Sequence, residues 1–240
     1  MTQKTPAVVA LGMFDGVHTG HRALMKRLLE EAGRLGAVPA VYTFSNHPLE
    51  VLGGNVRMLS SIDERNQLLL SLGAERVESV PFTLAFAGMS TERFVDLLAE
   101  IWDIRALVVG YNYTCGDRGA GTPQTLHQIG ESRGFSVSVV DPVLCDGEPV
   151  SSTRIRDMIE RGDVSLARKL LQRRYTLSGA VTPNRRIGLS LGFPTANFLP
   201  DPKRVVPADG VYATYAFVGG KERRAVTNIG TNPTVHGDKL

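Results

Sequence analysis

The chain has 240 residues, 42% of them apolar and 21% charged, with a formal net charge of +3, which is a globular composition with material for a real core. The opening apolar run is too short for a signal peptide, no stretch reaches the length of a membrane span, and Cys115 and Cys145 form neither a disulfide framework nor a zinc-site spacing. The charge is unevenly spread: residues 1–150 carry 12 Lys and Arg against 17 Asp and Glu, whereas residues 151–240 carry 15 against 7. That asymmetry points to two units, the second handling something anionic. A nucleotide needs few positive charges, and no aromatic–basic nucleic-acid module is present. Free thiols fit a reducing cytoplasm, where this chain is expected to work.

In chain order, Ala7–Leu11 is a short continuous apolar run of the kind that forms a buried parallel strand. Leu24, Leu28, Leu29, Ala32 and Leu35 recur at helical spacing from Thr19 to about Leu35, and Gly36 ends that helix. Val38–Phe44 is the next strand, completing a βαβ unit with a right-handed crossover. Ser60–Gly73 reads as a helix with Ser60 or Ser61 near its N-cap, and Arg76–Phe82 as a strand. Ser90–Trp102 is a helix with a cap but no capping box, because Arg93 stands where Glu or Gln would close it. Ala106–Gly110 is a buried strand, Gly121–Gly134 a helix with Pro123 near its first turn, and Phe135–Val143 a strand. Strands alternating with helices imply an α/β fold, a doubly wound parallel sheet with helices on both faces.

After Ser151 two helices follow, broken at Gly162-Asp163 with Asp163 capping the second. From Arg173 on, helical periodicity is gone. Tyr175–Val181, Gly210–Val218 and Arg223–Gly230 read as strands between Gly- and Pro-rich turns, an all-β unit of barrel type. The boundary falls near Gln172, giving units of residues 1–172 and 173–240. The strands after Gln172 are fewer than a small closed barrel needs.

The first strand runs into GMFDGVHTGH, Gly12 to His21. Ligands of open α/β sheets bind at the carboxyl ends of the strands, where glycines admit a ligand to the backbone and a helix N-terminus attracts phosphate. His18 and His21, at i and i+3, share one face and can donate hydrogen bonds to phosphate oxygens in a transition state. The stretch is not a P-loop, since it has no G-K-[ST]. At the far end of the first unit, VSSTRIR (Val150–Arg156) sets Ser151 or Ser152 at a helix cap and Arg156 beside it, a second anion site.

GMFDGVHTGH resembles the HxGH signature of the nucleotidyltransferases, and the fold it implies is their Rossmann-like domain. With TFSNHP (Thr43–Pro48), the Leu59–Phe82 stretch, VGYNYTCGDRGAGT and VSSTRIR, the chain is similar to the bacterial FAD synthetases, bifunctional riboflavin kinase/FMN adenylyltransferases. LGFPTANF (Leu191–Phe198) and GVYATY (Gly210–Tyr215) are similar to the flavokinase domain, a partial antiparallel β-barrel here. The resemblance implies transfer of AMP from ATP to FMN, giving FAD and pyrophosphate, and in the complete family protein phosphorylation of riboflavin to FMN. It implies an ATP site of Gly12, Phe14, Asp15, His18, His21, Ser152, Thr153 and Arg156, with His21 first and His18 second as catalytic groups. Asn112 is expected near the nucleotide and flavin phosphates. Asp15 either orients the turn or the ribose, or fills a buried structural role, and His47 is either a ligand contact or a satisfied loop histidine. In the kinase unit Gly188 and Gly192 bracket a nucleotide loop, and Thr195 and Asn197 serve the Mg²⁺–ATP site.

Two departures are visible. Cys115 stands where the family has an aromatic, and its use as a small hydrophobe is the simpler reading. Leu189 stands where the family commonly has Arg. Relatives also continue past the stretch HGDKL, into a catalytic glutamate, so this chain alone is expected not to phosphorylate riboflavin. The basic run RRY…NRR (from Arg173 to Arg186) reads as a solvated face rather than an ATP dock. Two further readings stand beside the leading one: a nucleotidyltransferase with another acceptor, and a flavin-nucleotide binding or regulatory protein. Substrates are small nucleotides and flavins, with no nucleic acid or membrane partner expected; the oligomeric state is open.

Overall fold

The computed structural model describes residues 4–182 and 195–230. It opens with β1 (Pro6–Leu11), α1 (Thr19–Leu35), β2 (Val38–Phe44), α2 (Pro48–Val51), α3 (Ile62–Ser71), β3 (Arg76–Val80) and α4 (Leu84–Ala87). Then come α5 (Thr91–Ile101), β4 (Asp103–Gly110), α6 (Pro123–Arg133), β5 (Ser136–Val140), β6 (Leu144–Cys145), β7 (Glu148–Pro149), α7 (Ser152–Glu160) and α8 (Val164–Leu171). The remainder holds β8 (Val181–Thr182), β9 (Asn197–Phe198), β10 (Gly210–Val218) and β11 (Lys221–Ile229).

Five parallel strands form one sheet in the order β3-β2-β1-β4-β5. Successive side chains of each strand take opposite faces. Ala7, Val9 and Leu11 pack with Tyr42, Leu107 and Val109 against Phe94, Val95 and Leu98 of α5 and Leu126 of α6. Val8 and Ala10 pack with Val41 and Val108 against Leu24, Met25, Leu28 and Ala32 of α1 and Leu69 of α3. The sheet is thus buried on both sides, which is why β1 contains no polar residue. A third cluster joins Ile155 and Ile159 of α7 and Ala167, Leu170 and Leu171 of α8 with Leu59, Val150 and Val205.

The helix boundaries follow local chemistry. Ser61 and Glu64 make a complete capping box on α3, Ser90 caps α5, Thr122 caps α6 ahead of Pro123, and Asp163 caps α8. Gly36 closes α1 at φ 60°. The differences from the sequence expectation lie at strand ends. β4 begins at Asp103 because Pro6 and Ala7 of β1 extend its pairing. β3 and β5 stop at Val80 and Val140, before Pro81 and the Asp141-Pro142 pair, where a ladder donor is lost.

In the second unit the described strands are antiparallel: β8 pairs with β9, and β10 with β11. Val211, Tyr215, Phe217 and Val226 share one exposed face of the β10–β11 hairpin. Of the expected strand Tyr175–Val181, only Val181 is in strand pairing. Tyr175 and Thr176 are instead tied to Val205 and Arg204.

Candidate active site

The order β3-β2-β1-β4-β5 reverses direction between β1 and β4, and the chain leaves both strands there. This is the switch point at which open α/β sheets bind ligands. From β1 the chain passes through Gly12–His18 into α1. Phe14, Gly16 and Val17 all have positive φ, 54°, 79° and 42°, and the Val17 N–H closes the turn on the Phe14 carbonyl at 3.0 Å. A β-branched residue in that region is strained by about 1–3 kcal/mol. Burial of the Phe14 and Val17 side chains, both 0% exposed, offsets it.

Asp15 is 1% exposed and fully engaged. Its carboxylate accepts from the N–H of Leu59 and of Ser60 and from the Ser60 hydroxyl, and takes the Arg156 guanidinium at 2.7 Å. The Ser60 Oγ also receives the Gly16 N–H at 3.1 Å. Arg156 Nε donates to the Arg57 carbonyl at 2.8 Å, and Ser152 Oγ donates to the Asp15 carbonyl at 2.9 Å. Asp15 therefore holds the turn to the Arg57–Ser61 segment and to α7. Ser151, not Ser152, is the α7 cap.

These bonds bring the N-termini of α1 and α7 together, and neither helix has an acidic residue in its first turn. Their unsatisfied N–H groups and partial positive charges converge on one place. His18 caps α1, its Nδ1 accepting the His21 N–H, which puts the proton of the neutral ring on Nε2. The two imidazoles stack, with ring centroids 3.7 Å apart, and the His21 Nδ1 is buried without a hydrogen-bond partner among the described residues. Burial, Arg156 and Arg173 lower the His18 pKa to about 4; burial, then His18 and Arg65, hold His21 well below the usual range. Both rings are neutral near pH 7 and can donate without carrying charge.

Of the residues singled out in the sequence, Gly12, Phe14, Asp15, His18, His21, Ser152 and Arg156 form this one cluster. Thr153 is exposed on the first turn of α7, and Asn112 is exposed on the turn after β4. Gly188, Leu189 and Gly192 lie outside the described residues, as does the Asn184–Arg186 part of the basic run. Thr195 is exposed, and the Asn197 carbonyl accepts the Thr182 hydroxyl; no described hydrogen bond joins either to the turn. Cys115 is half-buried beside Tyr113 and pairs with Gly121, burial pushing its thiol up to about 11, so it serves as a small hydrophobe. His47 caps α2 by accepting the Leu49 N–H.

Two expectations change. The glycines do not all open the backbone to a ligand: a Cβ on Gly16 would lie 2.8 Å from Leu59 Cδ1, and one on Gly20 3.1 Å from His18 Cε1. Their bareness lets the protein close on its own turn. Nor is Arg173 part of a solvated face, since it is half-buried and donates to the Gly16 carbonyl at 2.8 Å. Its neighbour Arg174 lies over the Tyr215 ring at 3.8 Å.

Arg65 is the residue that sequence reasoning missed. It is 1% exposed, and donates to the carbonyls of Met13 and Phe44, joining the turn after β1 to the end of β2. The available signal was phase: Arg65 stands four residues before Leu69, on the buried stripe of α3.

A family model described as FAD synthetase matches residues 1–154, and one described as riboflavin kinase matches residues 171–240. A bifunctional riboflavin kinase/FMN adenylyltransferase of Listeria monocytogenes is 34% identical, over 97% of this chain and 74% of its own. The protein of that name from Bacillus subtilis is 32% identical over 98% and 75%, and that from Escherichia coli 34% over 96% and 74%. A crystal structure described as a macrolide-efflux protein from Streptococcus pneumoniae superposes with a TM-score of 0.88 at 29% identity, over 98% of this chain and 77% of that one. Among the described residues no helix is long and apolar enough to cross a membrane. The chain belongs to the FAD synthetase family, the bifunctional riboflavin kinase/FMN adenylyltransferases.

Proposed function

We propose that residues 1–172 catalyse adenylyl transfer from ATP to FMN, giving FAD and pyrophosphate. The observation that carries this reading is the junction of two acid-free helix N-termini through Asp15, Ser152 and Arg156, with two neutral imidazoles on one of them. Arg65, Arg156 and Arg173 add positive charge around Asp15, a field suited to a triphosphate. A phosphate oxygen of FMN attacks the α-phosphorus of ATP in line. The new P–O bond forms as the bond to the β-phosphate bridging oxygen breaks, and pyrophosphate leaves with that electron pair.

His21 and the Nε2–H of His18 donate to phosphate oxygens as charge builds, a role for which neutral donors in a buried setting are suited. Ser152, Thr153 and Arg156 bind the β- and γ-phosphates, and Asn112, on the neighbouring strand end, faces the acceptor side. Gly12 and Phe14 shape the turn. The reaction needs no covalent enzyme intermediate; positioning and charge stabilisation supply the acceleration.

We divide the chain at Gln172, whose φ of 54° ends α8, and assign residues 173–240 to riboflavin phosphorylation in the complete family protein. Thr195 and Asn197 are neutral oxygen donors, and the described residues hold no cluster of three or more His, Cys, Asp or Glu that would bind a metal. They suit a Mg²⁺ that arrives on ATP as part of the substrate. The cytoplasm, where ATP and flavins are made and spent, is the place of action. Incubating the chain with ATP, FMN and Mg²⁺ tests the reading. FAD and pyrophosphate should appear in equal amounts; pyrophosphate without FAD, or neither product, would contradict it.

A further inference from the structure

The segment Arg57–Ser61 is a bracket with two occupied sides. One side holds the phosphate turn, through Asp15 on the N–H groups of Leu59 and Ser60, and Arg156 on the Arg57 carbonyl. The other side is held by residues beyond Gln172. Met58 donates its N–H to the Lys203 carbonyl at 2.6 Å, and Val205 donates its N–H to the Met58 carbonyl at 3.1 Å, a parallel bridge. Val205 is 0% exposed, and packs with Leu59, Ile155 and Leu171.

Arg204 lies between these anchors, 5% exposed. Its NH1 donates to Glu64 Oε2 at 2.7 Å, and its NH2 to the carbonyls of Leu59 at 3.0 Å and Thr176 at 2.9 Å. Glu64 Oε2 also accepts the Ser61 N–H, closing the capping box of α3. Arg204 is therefore hydrogen-bonded to Leu59 directly and to Ser61 through Glu64, the Leu59 and Ser60 N–H groups of the same short segment bind Asp15, and Asp15 binds Arg156 while the Ser60 hydroxyl takes the Gly16 N–H. A buried guanidinium with three acceptors fixes direction as well as distance, which an apolar side chain of equal volume cannot do.

We propose that Arg204, in the second unit, is a positioning residue for adenylyl transfer in the first: it fixes the Arg57–Ser61 bracket, and through it the Asp15 turn that presents His18 and His21. The inference rests on the adenylyl-transfer reading. It makes the two units one device at this point, so that residues 203–205 belong to the first site although they follow the kinase residues Thr195 and Asn197.

The test compares Arg204→Ala and Arg204→Lys in the full chain with Phe135→Leu, a core change at 8% exposure in the cluster that packs on α5 and α6. Fluorescence of Trp102 establishes the folded fraction, and FAD formation gives kcat and KM. Arg204→Ala should lower kcat about tenfold with KM for FMN within about twofold, because the reacting groups are misplaced while the flavin side is untouched. Arg204→Lys, which keeps the positive charge but has one nitrogen in place of the planar fork that meets Glu64 with one nitrogen and both carbonyls with the other, should recover part of the loss. Phe135→Leu should lower stability and leave kcat within about twofold. Equal kcat in parent and Arg204→Ala, or an equal loss in Phe135→Leu, would overturn the proposal. Should Arg204→Ala fail to fold, Arg204→Lys decides, a kcat within about twofold of the parent counting against it. Should the parent form no FAD, the proposed function fails by itself, and calorimetry with MgATP tests the bracket separately. Arg204→Lys should then bind about fivefold more weakly, and equal binding would overturn the proposal.

Discussion

Replacing Asp15 by Asn deletes one charge and little volume, and so isolates the pairing at the centre of the site. The Asn oxygen can still accept the N–H groups of Leu59 and Ser60, but its amide would turn a donor toward Arg156, which now reaches a carboxylate oxygen at 2.7 Å. Breaking a buried pair costs about 3–5 kcal/mol. Arg156 retains its bond to the Arg57 carbonyl and its side chain is 14% exposed, which brings the expectation to the lower end, about 3 kcal/mol. Trp102 is the chain's single tryptophan and lies 1% exposed in the first unit, so its fluorescence in urea reports unfolding of the unit concerned. Arg156→Ala should cost less, about 1–2 kcal/mol, because Asp15 keeps its other donors. The double variant should then show a coupling of about 2 kcal/mol. Additive losses, or a single loss below about 1 kcal/mol, would refute the pairing as the turn's main anchor.

The remaining predictions use the same probe or the same assay. His18, held near pKa 4 against an ordinary 6.5, is a base whose folded form refuses a proton that the unfolded chain accepts, so its contribution is complete above pH 6.5 and is lost as pH falls toward 4. The loss from this group reaches about 3 kcal/mol by pH 4, and His18→Asn, which keeps a cap acceptor, should flatten the stability slope between pH 5 and 6.5; an unchanged slope would contradict it. Gly16→Ala combines a φ of 79° with a contact of 2.8 Å and should cost about 2 kcal/mol or more, against about 1 for Gly36→Ala, which has φ 60° and open space; equal costs would show that Leu59 yields.

Much of this was legible in the sequence, for physical reasons that differ by element. The continuous apolar β1 and the Leu24–Leu28–Ala32 stripe of α1 are decided by burial and period, and the caps at Ser90, Gly36 and Asp163 by local hydrogen bonding. The pairing of GMFDGVHTGH with VSSTRIR was readable because each leads into a helix N-terminus, although the first leaves β1 of the parallel sheet and the second leaves the separate β6–β7 hairpin. Which atoms join them was not. Asp15 and Arg156 are remote in sequence, and only the folded chain shows that they satisfy each other. Arg173 reads as part of a solvated face, and nothing in the sequence analysis singles out Arg65 or Arg204, because composition favours the surface for arginine; each is drawn inward by backbone carbonyls. Gly16 and Gly20 read as space for a ligand, whereas Leu59 and the His18 ring occupy that space.

We propose that neutral imidazoles at the N-cap and first turn of α1 stabilise adenylyl transfer to FMN. The most direct measurement is the rate of FAD formation by the parent chain and by His21→Ala at saturating MgATP and FMN. The parent should form FAD, and the variant should lose about 2 kcal/mol or more of transition-state stabilisation, about a thirtyfold fall in kcat. Equal rates in the two proteins would remove His21 from the reaction and contradict the account.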